Sequence, residues 1–328
     1  MKISIIGGGA FGATIAQVLA ENGHETLVYD VKQANAANIN KSIHPVFNEP
    51  LNKTIKATTS LVDLVDFSDF FVLAIPTKFI RSQLKELNKI LKNDITIVNL
   101  SKGIETNTGK TISVICREEI TKLAGYVVLT GPSHAEDLFE HKLTLLLSAS
   151  TNNELATFVQ LVFSNDKYLR IYTSHNVIGA ELGGVAKNAI AVVSGMCMGL
   201  ELGENARAAL LTRGLGEISR LIIASGGEQK TAFGLAGVGD LFVTATSKKS
   251  RNYIAGIKIG AGVPIDDVYT TCTQTIEGIN NIAALKMLSE NLGVELPIIC
   301  QAYEVIFNKV NFNEVINYLL SRELKTEH

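Results

Sequence analysis

The sequence has few cysteines, and their spacing excludes two classes of small stabilised domain. The chain contains four cysteines in 328 residues, at positions 116, 197, 272 and 300. They lie far apart and include no C-x-x-C pair, so neither a zinc-binding knot nor a disulfide framework is indicated. We expect no metal site, and a chain of this kind suits the reducing cytoplasm.

The sequence also lacks an excess of charge of either sign. Lysine and arginine total 30 and aspartate and glutamate total 32, which gives a formal net charge of -2. Binding to nucleic acid or to an anionic membrane by general electrostatic attraction needs a basic surplus. We therefore expect neither partner, and any anion that the protein binds should be small and held locally.

A long uncharged apolar run is absent too, although 46% of the residues are hydrophobic. The most apolar stretch extends from Asn176 to Leu200, but Glu181 and Lys187 interrupt it. Its uncharged part, 188–200, has 13 residues, whereas a membrane-spanning helix needs roughly 20. We predict a buried helix there and no membrane span. The first residues resemble a strand and lack a basic region with a cleavage site, so we expect no signal peptide.

The first half of the chain alternates strand patterns with helix patterns. Strands are predicted at 3–6, 25–29, 70–75, 95–100 and 126–130. This alternation indicates a doubly wound parallel sheet. From about residue 175 long apolar helical stretches follow instead. We predict an α/β fold, with an N-terminal Rossmann-type doubly wound sheet over 1–174 followed by a mostly α-helical domain over 175–328, and a chain of this length suits about two domains.

A glycine-rich turn follows the first predicted strand. Gly7, Gly9 and Gly12 fit the pattern G-x-G-x-x-G, which permits a tight turn, close approach of a pyrophosphate and close helix packing. Asp30 ends the second strand, where an acid accepts hydrogen bonds from ribose hydroxyls. The alternative is a plain tight turn with an ordinary strand-end aspartate. The predicted cofactor-binding residues of this segment are Gly7, Gly9, Ala10, Phe11, Gly12 and Asp30.

Several segments together resemble the bacterial NAD(P)-dependent glycerol-3-phosphate dehydrogenases. They are GGGAFG at 7–12, SKGIE at 101–105, GPSHAED at 131–137, ELGGVAKNAIAVVSGMCMGL from 181, FGLAGVGDLFVTATSKKSRN from 233 and IEG at 276–278. The resemblance extends from residue 1 to about residue 300. It implies reversible hydride transfer between NAD(P)H and dihydroxyacetone phosphate, giving sn-glycerol 3-phosphate for phospholipid synthesis. The fold that it implies is a Rossmann domain followed by a helical domain.

Lys187 is the predicted catalytic residue. It interrupts a helix whose neighbouring residues are apolar, and burying an ammonium group is costly. Desolvation lowers the pKa of a lysine toward the range useful for proton transfer. The resemblance implies that Lys187 exchanges the proton of the substrate oxygen. The alternatives are a surface lysine on an amphipathic helix and an ion-pair partner of Glu181.

The substrate site is predicted from a second group of polar residues. Asp240 and Thr244 lie four residues apart, on one face of a predicted helix, although the aspartate alone could be a helix cap. A guanidinium with neighbouring hydroxyl and amide donors suits a phosphate, although SKKSRN alone reads as a solvated basic loop. The resemblance implies substrate contacts for Lys102, Gly131, Ser133, Asp240, Ser250, Arg251 and Asn252. It implies further cofactor contacts for Lys102, Ala135, Arg251 and Glu277.

The residues after the second predicted strand bear on which nicotinamide cofactor binds. An acid at position 30 repels a 2'-phosphate, so NAD is favoured over NADP, while Lys32 offsets part of that repulsion. The Gly-Gln pair that usually precedes the glutamate segment of the family is here Thr273 and Gln274, which weakens the prediction for that loop.

Two other functions stay open at this point. One is a related reductase of a small keto compound, and the other is a non-catalytic NAD(H)-sensing protein. A sensor needs the glycine turn but not Lys187, Asp240 and Arg251 together, so their joint presence argues against it. The expected partner is a small-molecule substrate. The oligomeric state is undecided, with a homodimer as one candidate.

Overall fold

The computed structural model describes residues 1–270, 276–324 and 326. Thr273 and Gln274 lie outside the described residues. The strands are β1 (Lys2–Ile6), β2 (Glu25–Tyr29), β3 (Lys56–Thr58), β4 (Phe70–Leu73), β5 (Ile95–Asn99), β6 (Leu123–Thr130), β7 (Thr144–Ala149) and β8 (Leu169–Ser174). The helices of the first half are α1 (Ala10–Glu21), α2 (Gln33–Asn40), α3 (Leu61–Phe67), α4 (Ile80–Ile90), α5 (Ile112–Glu119), α6 (Ala135–Phe139) and α7 (Asn153–Phe163). Those of the second half are α8 (Val177–Gly199), α9 (Gly203–Ala224), α10 (Asp240–Ala245), α11 (Arg251–Gly260), α12 (Ile265–Thr270), α13 (Glu277–Leu292), α14 (Pro297–Asn308) and α15 (Phe312–Ser321).

The strands form one eight-stranded sheet in the order β3-β2-β1-β4-β5-β6-β7-β8. Neighbouring strands are parallel except β6 and β7, so β7 and β8 run against the other six. From β1 the chain first builds outward to β3 and then returns to start β4 on the other side of β1. Open sheets of this kind bind ligands at the carboxyl ends of the strands beside such a reversal. The predicted doubly wound Rossmann-type sheet is confirmed. The prediction that it is parallel is corrected at one end, where β7 and β8 run antiparallel to the other strands.

Three of the strands were not identified in the sequence. β3 has only three residues, and β8 alternates buried with exposed side chains in the manner of an edge strand. β7 lies in the apolar run LTLLLSA, whose composition fits a strand or a helix equally well. The five predicted strands are all present. Two of them end earlier than predicted, at Leu73 and Asn99.

Apolar side chains cover both faces of the sheet. Along β4 and β5, Val72 and Val98 face one core, whereas Phe71 and Ile97 face the other. Parallel strands that are buried on both faces read as continuous apolar runs, as these do. The helices of the first half therefore pack on two sides of the sheet.

α8 is the central helix of the second half. By length and composition it would suffice to cross a membrane, but 89% of its most apolar window is buried within the protein. It packs against α9, α10, α11 and α13. The crossing with α11 is close, because a Cβ at Gly195 would lie 2.1 Å from a backbone oxygen of α11 and one at Gly256 would lie 2.0 Å from a backbone oxygen of α8. The predicted buried helix is confirmed.

Candidate active site

The glycine turn lies between β1 and α1, as predicted. Gly7 has φ +112°, and a Cβ there would lie 2.5 Å from the backbone oxygen of the residue after β4. A Cβ at Gly12 would lie 1.9 Å from the oxygen of Gly7, whereas nothing lies within 4 Å of one at Gly9. α1 begins at Ala10, and Phe11 is its second residue. The backbone N–H groups in the first turn of a helix have no partner within the helix, and the space beside Gly9 leaves room for a ligand there, an arrangement that fits a pyrophosphate.

Asp30 is buried at the end of β2, and its carboxylate is already hydrogen-bonded. Oδ2 accepts from the backbone N–H of Gly8 at 2.9 Å and from Nδ2 of Asn35 at 3.0 Å, and Oδ1 accepts from the backbone N–H of Lys32 at 2.8 Å. The carboxylate thus joins the glycine turn to the start of α2. It is more than an ordinary strand-end residue, and its contact with a ribose stays a prediction.

Four polar side chains meet where the sheet adjoins α8 and α10. Nζ of Lys187 donates to Oδ1 of Asp240 at 3.0 Å and to Oγ1 of Thr244 at 2.7 Å. Nζ of Lys102 donates to Oδ2 of Asp240 at 2.7 Å and to the backbone oxygen of Gly131 at 2.8 Å. The loops after β5 and β6 supply Lys102 and Gly131. One carboxylate therefore lies between two ammonium groups, one from each half of the chain.

Burial sets the protonation of this cluster. The pKa of Lys187 is lowered to about 8, because desolvation and, to a smaller extent, the charge of Lys102 outweigh the opposing effect of Asp240. Burial alone would raise the pKa of Asp240, but the two lysines more than offset this and hold it below its usual range. Asp240 is therefore a carboxylate at neutral pH. Lys187 can hold or release its proton within about one pH unit of neutrality.

The structure excludes both alternative roles for Lys187. Its side chain is 6% exposed, so it is not a surface lysine. The ion-pair partner of Lys187 is Asp240 rather than Glu181, whose carboxylate accepts hydrogen bonds from Ser113 and Tyr126.

The SRN segment forms the start of α11. The hydroxyl of Ser250 accepts from the backbone N–H three residues later and caps the helix, and Arg251 is its first residue. Asn252 is buried, donates to Oδ1 of Asn188 at 2.9 Å and accepts from the backbone N–H of Gly278 at 3.0 Å. The segment is therefore not a solvated basic loop. It is fixed beside α8 one residue after Lys187.

The loop after β6 carries further predicted residues. Oγ of Ser133 donates to the oxygen of Gly131 at 3.0 Å, and Ala135 begins α6. Nε2 of His134 lies 3.2 Å from the backbone oxygen of Val243, and burial lowers the pKa of this histidine. His134 thus joins this loop to α10, in keeping with a structural role.

Glu277 lies at the start of α13. Its Oε1 accepts from the backbone N–H of Thr77 at 3.4 Å and from Oγ1 of that residue at 3.5 Å. Both residues line a small cavity between the loops after β4 and β5 and α13. Burial raises the pKa of Glu277, and Arg251 is among the cations that oppose the rise.

Sequence reasoning did not single out Thr77 and Asn188 as site residues. Thr77 follows β4, so the strand-end rule that selected Lys102 would have selected it too. Asn188 directly follows Lys187, and its amide donates to the backbone oxygen of Lys102 at 3.4 Å. Its polarity within an apolar helix was the available signal.

A dinucleotide-type glycine turn and a buried lysine–aspartate pair in one chain are typical of a class, the NAD(P)-dependent oxidoreductases that act on a CH–OH group. Two family models identify the family within this class. Residues 2–156 match the N-terminus of NAD-dependent glycerol-3-phosphate dehydrogenase, and residues 176–317 match its C-terminus. The chain belongs to this family.

Relatives support the same membership over the whole chain. The chain is 52% identical to a glycerol-3-phosphate dehydrogenase [NAD(P)+] of Acholeplasma laidlawii, over 100% of this chain and 99% of that protein. It is 44% identical to a protein of the same name from Phytoplasma mali, with the same coverage. It superposes on the crystal structure of glycerol-3-phosphate dehydrogenase from Coxiella burnetii with a TM-score of 0.92 and 28% identity, covering 98% of this chain and 99% of that one.

The fold extends to more distant dehydrogenases. A PanE/ApbA family ketopantoate reductase from Ralstonia eutropha superposes with a TM-score of 0.61 at 16% identity, covering 98% of this chain and all of that one. At that identity the likeness shows the fold alone. The keto-compound reductase and the sensor are therefore not favoured, and the protein is an NAD(P)-dependent glycerol-3-phosphate dehydrogenase by family.

Proposed function

We propose that the protein interconverts dihydroxyacetone phosphate and sn-glycerol 3-phosphate, with Lys187 as its acid-base residue. The observation that carries this proposal is the buried contact of Lys187 with Asp240, whose other oxygen is bound by Lys102. The product would serve as the backbone precursor of phospholipids. The bound cofactor, NAD(P)H, would supply the hydride.

In the reducing direction, the ammonium of Lys187 donates its proton to the developing alkoxide at the substrate's keto carbon. In the reverse direction the neutral amine takes the proton from the hydroxyl. Asp240 orients the amine and stabilises its charged form, and Lys102 holds Asp240 in place. Thr244 accepts a second hydrogen bond from the amine, which fixes its direction. A low dielectric strengthens each of these contacts.

The substrate phosphate would bind at the start of α11. This helix has 10 residues and is capped by Ser250, so its N-terminus offers backbone N–H groups and the positive end of the helix dipole. Arg251 adds a guanidinium that can form two parallel hydrogen bonds with a phosphate. Asn252 supports the segment through Asn188, so phosphate binding and the acid-base residue share one scaffold.

Further assignments accompany this function. The glycine turn and Glu277 would contact the cofactor, with NAD favoured by the negative charge of Asp30. Ser133 and Ala135 would line the site from the loop after β6. The division into a cofactor domain, 1–174, and a substrate domain, 175–328, agrees with the chain leaving the sheet after β8. A cytoplasmic location is proposed for the whole protein, and the homodimer stays a prediction that light scattering tests.

The direct experiment mixes the purified protein with NADH and dihydroxyacetone phosphate and follows the loss of nicotinamide absorbance. Turnover is expected, and unphosphorylated dihydroxyacetone should react far more slowly because it lacks the phosphate. Bound NADH without turnover would favour the sensor. Faster turnover of a small 2-keto acid would favour the reductase.

A further inference from the structure

Glu181 is a buried carboxylate that the proposed mechanism does not use. It lies on α8 and is 6% exposed. Its Oε1 accepts from the backbone N–H of Ser113 at 2.8 Å and from the hydroxyl of Tyr126 at 2.6 Å. Its Oε2 accepts from the hydroxyl of Ser113 at 2.6 Å. Charged side chains are rarely buried without strong compensation, so this placement requires an explanation.

The three hydrogen bonds join two halves of the molecule. Ser113 is the second residue of α5, and Tyr126 lies in β6, so both donors belong to the sheet half, whereas α8 belongs to the helical half. A carboxylate at the start of α5 also complements the positive end of that helix. Glu181 therefore holds the first turns of α8 against the sheet.

The same face of α8 makes the next contacts with the sheet half. A Cβ at Gly184 would lie 3.3 Å from the hydroxyl of Thr130 and 3.7 Å from Cγ of Lys102. Asn188 donates to the backbone oxygen of Lys102. Residues 181, 184 and 188 follow the i, i+3, i+7 spacing of one helical stripe. Lys187 is adjacent to this stripe, so the rotation and height of α8 on the sheet set the position of its amine.

We propose that Glu181 is a positioning residue, which fixes α8 on the sheet half so that the amine of Lys187 reaches Asp240 and the substrate oxygen. The proposal rests on the proposed role of Lys187. Catalytic groups must be held closely in place, since a displacement of about 1 Å can lower the rate about 100-fold. A carboxylate that accepts three directed hydrogen bonds specifies one rotation of the helix, which an apolar contact would not.

Glu217 offers a matched control. It lies on α9, is 1% exposed, and accepts from the backbone N–H groups of Ile298 and Ile299 at the start of α14. It is thus a second buried glutamate at a helix N-terminus, but both of its partners lie within the helical half. Replacing it should disturb packing without moving α8 relative to the sheet.

The experiment compares Glu181→Leu, Glu181→Gln and Glu217→Leu in the full-length protein. In Glu181→Leu we expect kcat to fall at least about tenfold, with the Kd for NADH within about threefold of the parent because the glycine turn is untouched. The pH dependence of kcat should also move, since Lys187 leaves its buried position. Glu181→Gln should restore kcat, because its amide oxygen accepts from Ser113 and Tyr126 and its NH2 donates to the Ser113 hydroxyl. Glu217→Leu should lower Tm and leave kcat and its pH dependence unchanged.

Two results would overturn the proposal. One is a folded Glu181→Leu protein with the parental kcat and pH profile, and the other is an equal loss of kcat in Glu181→Leu and Glu217→Leu. If Glu181→Leu does not fold, Tyr126→Phe removes a single donor, and an unchanged kcat and pH profile there overturns the proposal. Lys187→Met separates the two hypotheses. A near-parental kcat in Lys187→Met would overturn the proton-transfer role of Lys187. A low kcat in Lys187→Met together with a parental kcat in Glu181→Leu would overturn only the positioning role of Glu181.

Discussion

At the scale of single residues, the difference in burial between Lys187 and Lys102 decides which of the two lysines is suited to proton exchange. Both contact Asp240, but Lys187 is almost wholly enclosed whereas Lys102 is 15% exposed. Desolvation lowers the pKa of Lys187 to about 8. A general acid works best with a pKa near the operating pH, so this environment suits Lys187 for proton exchange.

Lys187→Met should remove most of the activity while leaving NADH binding intact. Methionine fills similar space but cannot transfer a proton, and general acid-base catalysis contributes about 10²- to 10⁴-fold. We expect kcat to fall by at least about that factor, measured in both directions. Near-parental kcat in the folded variant would reassign the proton donor to Lys102 or a bound water.

The two reaction directions should have opposite pH dependence. Reduction needs the charged form of Lys187, so its kcat should fall as the pH rises through about 8. Oxidation needs the neutral amine, so its kcat should rise through the same pH. Both limbs should be missing from any residual activity of Lys187→Met. Two limbs of the same sign in the parent would contradict the assignment.

Arg251→Ala should weaken substrate binding more than cofactor binding. Hydrogen bonds to charged groups contribute about 1.5–3 kcal/mol. The KM for dihydroxyacetone phosphate should therefore increase by a factor between about 10 and somewhat over 100. Lys248→Ala is the control, since it also removes a positive charge from the segment SKKSRN but leaves Arg251 in place. Equal KM values in Arg251→Ala and the parent would remove Arg251 from the phosphate site.

NADH should be used better than NADPH, because in the proposed cofactor site a 2'-phosphate would approach the carboxylate of Asp30 and be repelled by it. Asp30→Ser should narrow the ratio of the two kcat/KM values. The variant also loses bonds to Gly8, Lys32 and Asn35, so its Tm should fall. A larger kcat/KM for NADPH in the parent would show that the assignment is wrong.

At the scale of elements, the junction of β1 and α1 depends on the absence of side chains. A Cβ at Gly12 would meet the backbone oxygen of Gly7, which cannot move without opening the turn. Gly12→Ala should therefore cost about 1–3 kcal/mol of stability and weaken NADH binding.

Gly216→Ala is the matched control for that substitution. Gly216 lies inside α9, and an added Cβ would lie 3.5 Å from the guanidinium of Arg220, an ordinary contact. Removing a glycine from a helix interior stabilises by roughly 0.5–1 kcal/mol. Calorimetry should therefore show a lower Tm for Gly12→Ala and a higher Tm for Gly216→Ala. Titration with NADH should show a loss of affinity in Gly12→Ala alone. Equal affinity in both variants would remove the turn from the cofactor site.

At the scale of the whole molecule, buried ionisable groups make stability depend on pH. Burial raises the pKa of Glu217 to about 7, from 4.5. Between those values the unfolded chain releases the proton while the folded protein retains it. The contribution of Glu217 to stability is therefore fully present below pH 4.5 and is lost as the pH rises to about 7.

Glu217→Gln should remove this dependence, because an amide does not titrate. The shift corresponds to about 3 kcal/mol in the free energy of unfolding across that interval. Urea unfolding of parent and variant at several pH values measures the difference between them. A difference that stays constant from pH 4.5 to 7 would show that Glu217 titrates normally in the folded protein.

The sequence alone determined most of the sheet, the glycine turn and most of the polar residues of the candidate site. Those features follow from local patterns, since apolar runs form strands and a strand followed by spaced glycines and a helix pattern forms one kind of turn. Lys187 stood out because a lysine among apolar neighbours on a helix is costly once that helix is buried. The short β3 and the edge strand β8 were not predicted, because weak local patterns become strands only when a neighbour pairs with them.

Only the tertiary structure decided which partners these residues have. It assigned Asp240 to two lysines, separated by 85 positions in the chain, and it assigned Glu181 to the sheet half rather than to Lys187, six residues away. Distances across a helix are fixed by local geometry, but the choice among distant partners depends on how α8 lies on the sheet. That arrangement results from packing over the whole interface. Burial, which lowers the pKa of Lys187, is a property of the same packing and is not written in any single segment.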